Sequence, residues 1–199
     1  MLEKIKQNST LQFFKAFIRH PSAIGSIIPS SPNLAREIIK NIELDSSDTI
    51  IELGPGTGAF TNYIQQIIPE TSAYIGIERE PRFVKMLHKC FPELLFVNGM
   101  AAKAQELFKE TGRLPAKVII SSLPFSTQEK SDQIANIESI NQLMLPGCMF
   151  KTIQYVHSYM FPSAIHFRRK MSELFGNHHR SQIIMKNVPP AYILTWTRE

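Results

Sequence analysis

The chain has 199 residues, of which 43% are hydrophobic and 20% are charged, and its formal net charge is +5. This composition is typical of a single globular domain, and it excludes a disordered tail, a collagen-like repeat and a disulfide-rich mini-protein. The apolar runs are too short to span a bilayer, and the N-terminus lacks the apolar stretch of a secretory signal. Cys90 and Cys148 have no disulfide or metal-site spacing, so we expect a cytoplasmic protein without a metal.

The positive charge is concentrated at the two ends of the chain. Residues 140–199 contain seven basic and two acidic residues, which accounts for the whole excess of +5. Residues 1–20 contain four basic residues and one acidic residue. Two basic surfaces predict an anionic partner, either a membrane surface or a nucleic acid. Solvated charges on helix faces are the alternative interpretation.

Residues 2–19 are predicted to form an amphipathic helix. Phe13, Phe14 and Phe17 lie among lysines there, which is typical of a helix in a membrane interface, and docking on the core is the alternative. Pro21 ends the helix because the residue before a proline is pushed out of the α region. We therefore predict a membrane-facing, lid-like segment of residues 1–32, followed by a second domain of residues 33–199.

The second domain alternates between helix and strand patterns. Ser31 is the predicted N-cap of a helix that begins at Pro32. Further helices are predicted at 61–68, 101–108, 132–145 and 166–175, and strands at 49–53, 73–77, 94–97, 117–121, 149–156, 182–185 and 192–196. This alternation predicts an α/β fold with a seven-stranded, mostly parallel sheet that ends in an antiparallel C-terminal strand.

A glycine-rich loop follows the first predicted strand. Its alternating glycines let the backbone turn sharply and approach a ligand closely, and a helix after it would offer free N–H groups. Glu78 lies at the end of the next strand, where nucleotide-binding α/β folds place an acid that binds ribose hydroxyls. The predicted cofactor-binding residues around the loop are Glu52, Gly54, Pro55, Gly56, Thr57 and Gly58.

This strand, loop and terminal acid resemble the first two motifs of the class I S-adenosylmethionine-dependent methyltransferases. The resemblance implies a Rossmann-like fold, S-adenosyl-L-methionine as the methyl donor and S-adenosyl-L-homocysteine as the product. Glu52 and the glycines would surround the methionine end of the cofactor. Glu78 would hold the ribose hydroxyls, with Ile77 and Arg79 beside the adenosine.

The third motif of that family departs from its usual form in this chain. The family has Gly-Asp-Ala, in which the aspartate binds the adenine amine, whereas this chain has Gly99, Met100 and Ala101. We assign these three residues to the cofactor site by the same resemblance. The missing acid leaves open a second hypothesis, a cofactor-binding protein that has lost its activity.

A second motif, Ser121-Ser122-Leu123-Pro124-Phe125, follows the strand predicted at 117–121. It resembles the acceptor motif of amine methyltransferases, in which a carbonyl and a polar side chain accept from the amine and an aromatic ring packs over it. The resemblance places Ser121 in the cofactor site and the other four residues in the catalytic site. A plain turn, with Pro124 ending the strand, is the alternative.

Two related families share this plan of motifs. Ribosomal RNA adenine dimethyltransferases have Asn-Leu-Pro-Tyr, and bacterial phospholipid N-methyltransferases have Ser-x-Leu-Pro, which this chain resembles. The segments 13–31 and 187–191 are also similar to the second family. The resemblance implies methylation of phosphatidylethanolamine toward phosphatidylcholine by a peripheral protein on the inner face of the membrane. An RNA adenine N6-methyltransferase is the alternative, and the oligomeric state stays open.

The proposed reaction needs a proton acceptor and a site for the lipid phosphate. An alkylammonium group has a pKa of ~10.4, so it must lose a proton before it attacks the methyl group. The candidate bases are Tyr155, His157 and Tyr159. The candidate phosphate-binding residues are Arg168, Arg169, Lys170 and Arg180. A solvated basic helix is the alternative for the last set.

Overall fold

The computed structural model describes residues 30–199. The predicted helix at 2–19 and the membrane role of its segment lie outside the described residues. The described helices are α1 (Pro32–Ile39), α2 (Thr61–Ile64), α3 (Pro81–Cys90), α4 (Ala104–Glu110), α5 (Lys130–Leu143) and α6 (Pro162–Phe175). The strands are β1 (Thr49–Leu53), β2 (Tyr74–Glu78), β3 (Leu95–Asn98), β4 (Ala116–Ser121), β5 (Met149–Tyr155), β6 (His179–Arg180) and β7 (Ala191–Thr197).

All seven strands form one sheet in the order β3-β2-β1-β4-β5-β7-β6. Strands β1 to β5 are all parallel to one another. Strand β7 is antiparallel to β5, and β6 is antiparallel to β7. Every residue of β1 and β2 is buried, as expected for central parallel strands with both faces covered. The structure therefore confirms the predicted α/β sheet with its antiparallel C-terminal end.

Hydrophobic cores lie on the two faces of the sheet. Leu53 and Phe150 belong to a core that includes Phe167 and Trp196. Ile50 belongs to the core on the opposite face of the sheet. That core includes Leu34 of α1, Leu87 of α3 and Phe96 of β3. Among the described helices, none is both long and apolar enough to cross a bilayer.

Two predicted elements differ from the structure, and one helix was not predicted. The strand predicted at 182–185 is wrong, because the strand lies at His179–Arg180 and Ile184 forms only an isolated bridge to Ala191. The helix predicted at 61–68 shortens to α2, which has four residues. Helix α3 was not predicted, although Glu80 caps it by accepting from the Arg82 backbone N–H and a proline occupies its first turn.

The start of the described chain is fixed to the loop before β7. The Ser31 hydroxyl accepts from the Leu34 backbone N–H at 3.2 Å, which confirms Ser31 as the N-cap of α1. The Ser31 backbone N–H in turn donates to the Asn187 side-chain oxygen at 2.8 Å. Asn187 is buried and donates to the Pro189 carbonyl at 2.7 Å. This contact places the end of the N-terminal segment beside the carboxyl edge of the sheet.

Candidate active site

The glycine loop adopts the backbone geometry that its sequence predicts. Gly54, Gly56 and Gly58 all have positive φ, at 73°, 55° and 82°. The Gly54 backbone N–H donates to the Ile77 carbonyl at 2.9 Å, which ties the loop to the end of β2. Pro55 and Thr57 are buried, and the Pro55 carbonyl accepts from Gly58 at 2.8 Å. Because α2 has only four residues, we assign no dipole contribution to its N-terminus.

The Glu78 carboxylate lies directly against this loop. Its Oε2 accepts from the Gly56 backbone N–H, and its Oε1 accepts from the Glu80 backbone N–H, both at 2.9 Å. The Asn98 side chain donates to the carbonyls of Glu78 and Arg79 at 2.9 and 3.1 Å. The sequence analysis missed Asn98, although a polar residue at a strand end was a usable signal. Two backbone N–H groups thus hold the Glu78 side chain in place against the glycine loop.

Glu52 lies inside the core rather than in an open cleft. Its side chain is fully buried, and its Oε2 accepts from the Thr61 hydroxyl at 2.7 Å and the Tyr74 hydroxyl at 2.6 Å. Its Oε1 has no hydrogen-bond partner among the described residues. Burial raises the pKa of Glu52 to about 7, although both hydroxyls act in the opposite direction. Glu52 therefore supports the glycine loop from within the core.

The burial of Glu52 predicts a specific pH dependence of stability. Folded Glu52 holds its proton more tightly than the unfolded residue, with a pKa of about 7 against 4.5. The free energy of unfolding should therefore fall as the pH rises from about 4.5 to about 7, by ~3 kcal/mol at 1.36 kcal/mol per pKa unit. Glu52→Gln should remove this dependence. Between pH 5 and pH 8 the urea midpoint of the wild type should fall, whereas that of the variant should change less, so the comparison at pH 8 should favour the variant. Parallel pH profiles for the two proteins would contradict the prediction, and the exposed Glu80→Gln serves as control.

The remaining predicted cofactor residues lie around the ends of β2 and β3. Ile77 is buried in the core, so only its backbone is available to a ligand, while Arg79 is exposed. Met100 is 52% exposed where the family motif has an acid. Gly99 donates its backbone N–H to the Glu78 carbonyl at 3.0 Å, and Ala101 packs against the core. The carboxyl edge of β2 and β3 thus gathers these residues as predicted, without a carboxylate in the third motif.

The acceptor motif contacts the glycine loop directly. The Ser122 hydroxyl donates to the Gly54 carbonyl at 2.5 Å, and the Ser122 backbone N–H donates to the Leu53 carbonyl at 3.1 Å. A Cβ on Gly54 would lie 3.2 Å from Leu123 Cδ2. Ser121 is fully buried, and its hydroxyl accepts from the Leu123 backbone N–H at 3.2 Å. The two motifs therefore meet at the carboxyl ends of β1 and β4.

The placement of Phe125 requires a correction. We expected its ring to pack over the amine, but the ring is buried and stacks on Phe167 with the centroids 4.0 Å apart. Pro124 is exposed beside it, and its carbonyl accepts from the Thr127 backbone N–H at 2.9 Å. The aromatic residue of this motif thus anchors the acceptor loop in the core, and only the residues before it face outward.

Gln133 holds the acceptor loop against α6, and the sequence analysis missed it. Its buried amide donates to the carbonyls of Phe125 at 2.7 Å and Ser163 at 3.1 Å. Its oxygen lies 2.6 Å from His166 Nδ1. A buried polar side chain with this many partners fixes the relative position of two elements. No short motif signals this role, because the partners lie on separate elements.

The three candidate bases separate into two groups. The rings of Tyr155 and His157 stack with centroids 5.7 Å apart after β5, and His157 is exposed. Burial raises the pKa of Tyr155, which makes its phenol a poorer base. Tyr159 instead stacks with Arg168, whose Cζ lies 3.8 Å from the ring centroid. Of the three candidates, His157 is the exposed one.

The four predicted phosphate-binding residues do not form one cluster. Arg169 and Lys170 lie 3.7 and 2.7 Å from the Glu173 carboxylate on α6. Arg168 and Arg180 instead lie around the ring of Tyr159, at 3.8 and 5.2 Å. Successive residues of a helix point about 100° apart, which explains why Arg168 separates from its two neighbours.

Two of the seven basic residues in 140–199 bond to carbonyl groups of the chain. Lys151 is buried, and its ammonium donates to the Lys40 carbonyl at 2.7 Å. Burial lowers the pKa of Lys151 to about 8. The Arg198 guanidinium donates to the carbonyls of Asn141 and Met144, both at 2.9 Å. These two charges satisfy chain carbonyls, so they do not belong to a surface for an anionic partner.

The chain is similar to two kinds of methyltransferase. A family model described as ribosomal RNA adenine dimethylase matches residues 22–105. The ornithine lipid N-methyltransferase of Singulisphaera acidiphila is 29% identical over 144 residues, which cover 71% of this chain and 75% of that protein. The ribosomal RNA small subunit methyltransferase A of Chlorobium phaeobacteroides is 29% identical over 52% of this chain. This chain spans only 36% of the length of that second protein.

Solved structures give a consistent picture of the fold. The O-methyltransferase from Bacillus cereus in complex with SAH has a TM-score of 0.65 with this chain at 12% sequence identity. The alignment covers 97% of this chain and 90% of that protein. The shared fold extends over nearly the whole of both proteins.

Proposed function

We propose that this chain, which has the fold of the class I S-adenosylmethionine-dependent methyltransferases, methylates the amine of phosphatidylethanolamine and its partly methylated products. S-adenosyl-L-methionine is the methyl donor. The glycine loop has room for it, because the positive-φ glycines leave the loop free of side chains beside the Glu78 carboxylate. The protein would work as a peripheral protein on the inner face of the membrane.

An apolar rim beside the acceptor loop is the observation that carries the proposal. The exposed apolar residues that follow β5 are Met160, Phe161 and Ile165, and those that precede β7 are Ile183, Met185 and Val188. Tyr155 pairs with Ala191 where β5 ends and β7 begins, so both groups lie near the carboxyl edge of the sheet. Met160 and Val188 are 71% and 73% exposed. Apolar side chains presented to solvent beside a site mark a surface for lipid or another apolar partner.

The similarity to an ornithine lipid N-methyltransferase supports the same substrate class. That relative is named for transfer to a lipid amine, and it aligns over three-quarters of its own length with this chain. The Ser122-Leu123-Pro124 motif lies against the glycine loop, where an amine nitrogen would face the methyl donor. A lipid held by its acyl chains at the apolar rim would present its headgroup to this loop.

The chain's own residues would orient the amine and receive its proton. The bound cofactor supplies a methyl group on a sulfonium, which is already a strong electrophile. The acceptor loop would align the nitrogen for in-line displacement, and closure over the site would lower the pKa of the ammonium by desolvation. A ring nitrogen of His157 would accept the proton that the ammonium loses.

Methylation of an adenine in ribosomal RNA is the second candidate function, favoured by the family model that matches residues 22–105. Against it stands the burial of Phe125, which stacks on Phe167 and leaves no free ring face for a base. We therefore favour the lipid amine.

Methyl transfer from labelled S-adenosylmethionine tests the two functions side by side. Liposomes with phosphatidylethanolamine, liposomes without it and structured RNA serve as acceptors. We expect label in the phosphatidylethanolamine fraction and none in the other two. Label in RNA alone would overturn the proposal and favour the second function, and label in no fraction would leave only cofactor binding.

Variants of the apolar rim test the membrane contact. The double variant Met160→Ser with Val188→Ser should reduce transfer to liposomes at least tenfold, since full burial of one apolar side chain contributes on the order of 1.5–3 kcal/mol. Its affinity for S-adenosylmethionine should stay unchanged. Leu145→Ser is the matched control, because Leu145 is 48% exposed before the amino end of β5, away from the rim. Equal losses in both variants would contradict the assignment of the rim.

A further inference from the structure

The guanidinium of Arg168 is held rigidly near the end of β5. Its Nη1 donates to the Gln154 side-chain oxygen at 2.6 Å and to the Tyr159 carbonyl at 2.8 Å. Gln154 is buried, and the Arg168 Cζ lies 3.8 Å from the Tyr159 ring centroid. A guanidinium has five N–H donors, so these two bonds leave three that can bind another group.

Arg180 approaches the same aromatic rings from β6. Its Cζ lies 4.7 Å from the Tyr192 ring centroid and 5.2 Å from that of Tyr159. The two tyrosine rings lie 5.1 Å apart, so they form a shared wall for both cations. Arg180 is exposed, and its guanidinium has no ion pair or hydrogen bond with any residue that the structure describes.

The electrostatic environment of this pair is positive. The pKa of His178 is lowered first by burial and then by the positive charges of Arg168, Arg180 and His179. Burial lowers the pKa of Arg168, Tyr159 acts in the opposite direction, and Arg180 lowers it further. Neither guanidinium pairs with a carboxylate of the described residues, and both lie against the Tyr159 ring. Such cations favour the binding of an anion, and guanidinium groups bind oxyanions bidentately.

The same structural elements hold this pair and the acceptor loop. Phe167, the residue before Arg168 on α6, stacks on Phe125 of the acceptor loop. On β5, the Thr152 hydroxyl donates to the Ser121 carbonyl at 3.0 Å, two residues before Gln154. Gln154, the partner of Arg168, lies on β5 next to β4, whereas Arg180 lies on β6, three strands from β4. Adjacent strands lie ~4.8 Å apart, so Arg168 is the member of the pair nearer to the acceptor loop. A headgroup whose amine lies at the loop would extend its acid toward Arg168 and the Tyr159 ring that Arg168 shares with Arg180.

We propose that Arg168 and Arg180, with the rings of Tyr159 and Tyr192, form an oxyanion subsite for the acid of a zwitterionic amino lipid. The subsite selects lipids whose methyl-accepting amine is joined by a short chain to an oxyanion, either a phosphate or a carboxylate. This inference rests on the proposed lipid N-methylation and adds the feature by which the acceptor is chosen. An amine lipid without an acid would reach the acceptor loop but leave the two guanidinium groups unpaired.

Methyl transfer to three lipids in otherwise identical liposomes tests the subsite. The lipids are phosphatidylethanolamine, an acylated ornithine lipid with a free carboxylate, and octadecylamine, which has no acid. Arg180→Gln should lower kcat/KM at least tenfold for the acid-bearing lipids that the wild type methylates and leave octadecylamine within twofold. Arg180→Lys should recover part of the loss, because it retains the charge but not the bidentate geometry. A preference for the first or the second lipid identifies the acid as phosphate or carboxylate.

Lys109→Gln is the matched control, since it removes one exposed positive charge from the last turn of α4. Equal effects of Arg180→Gln and Lys109→Gln on acid-bearing lipids would overturn the subsite while leaving lipid methylation intact. If the wild type methylates no lipid, the proposed function fails, and calorimetric titration with phosphoethanolamine and ethanolamine decides the subsite. Tighter binding of phosphoethanolamine that Arg180→Gln abolishes would support it, and equal binding of the two probes would overturn it.

Discussion

Replacing Glu78 with Ala is expected to lower the affinity for S-adenosylmethionine at least 100-fold. The family resemblance assigns the two ribose hydroxyls to this carboxylate, and hydrogen bonds to a charged group contribute ~1.5–3 kcal/mol each. At ~1.4 kcal/mol for each factor of ten, two such bonds account for a 100-fold change or more. The substitution also removes the acceptor for the Gly56 backbone N–H. Titration calorimetry with the purified protein measures the effect directly.

The control for this experiment is the neighbouring acid. Glu80→Gln removes an exposed charge that pairs with Arg82 at 3.1 Å, so it should leave cofactor affinity within about twofold. Glu80→Gln should unfold at a temperature close to that of the wild type, and Glu78→Ala at a lower one, because two backbone N–H groups lose their acceptor. Unchanged affinity in folded Glu78→Ala would remove the ribose assignment. A comparable loss in Glu80→Gln would show that the effect arises from net charge rather than from a specific contact.

The central sheet was predictable because its strands are buried on both faces. Thr49–Leu53 reads as a short apolar run with one polar interruption, and the structure has the same bounds. The run at 182–185 reads equally well as a strand, yet Ile183 and Met185 are exposed. An apolar run becomes a strand only where a partner edge is available, and β7 pairs instead with His179–Arg180. The sequence pattern contains no information about that choice.

The site was predictable where one contiguous segment supplies several of its residues. The glycine loop and Glu78 follow successive strands, so the parallel sheet brings them together at one edge, as the 2.9 Å contact shows. The partners of Glu52 were not predictable, because Thr61 and Tyr74 come from α2 and β2 and meet only in the folded core. Phe125 likewise matched a motif, but its stacking on Phe167 depends on where α6 lies.

Two glycines of the loop are expected to respond differently to alanine, with the larger loss of stability at Gly58. A Cβ on Gly58 would lie 2.6 Å from Phe91 and 3.1 Å from Leu87, and the φ of 82° disfavours any side chain. A left-handed backbone costs ~1–2 kcal/mol, and overpacking of a core costs a further ~1–3 kcal/mol. Gly58→Ala should therefore lower the melting temperature by roughly 5–15 °C at ~2–4 °C per kcal/mol. Differential scanning calorimetry measures this change.

Gly56→Ala provides the matched comparison, because the same backbone strain occurs there without a steric clash. Its φ is 55°, and the nearest atom to a Cβ is the Gly54 carbonyl oxygen at 3.9 Å. We expect a smaller loss of stability, ~1–2 kcal/mol, and at least a tenfold loss of affinity for S-adenosylmethionine, since the methyl group would occupy open space at the loop beside Glu78. If Gly58→Ala proved as stable as Gly56→Ala, the packing of Phe91 and Leu87 against the loop would be contradicted. If Gly56→Ala bound the cofactor normally, the cofactor would have to approach the loop from another side.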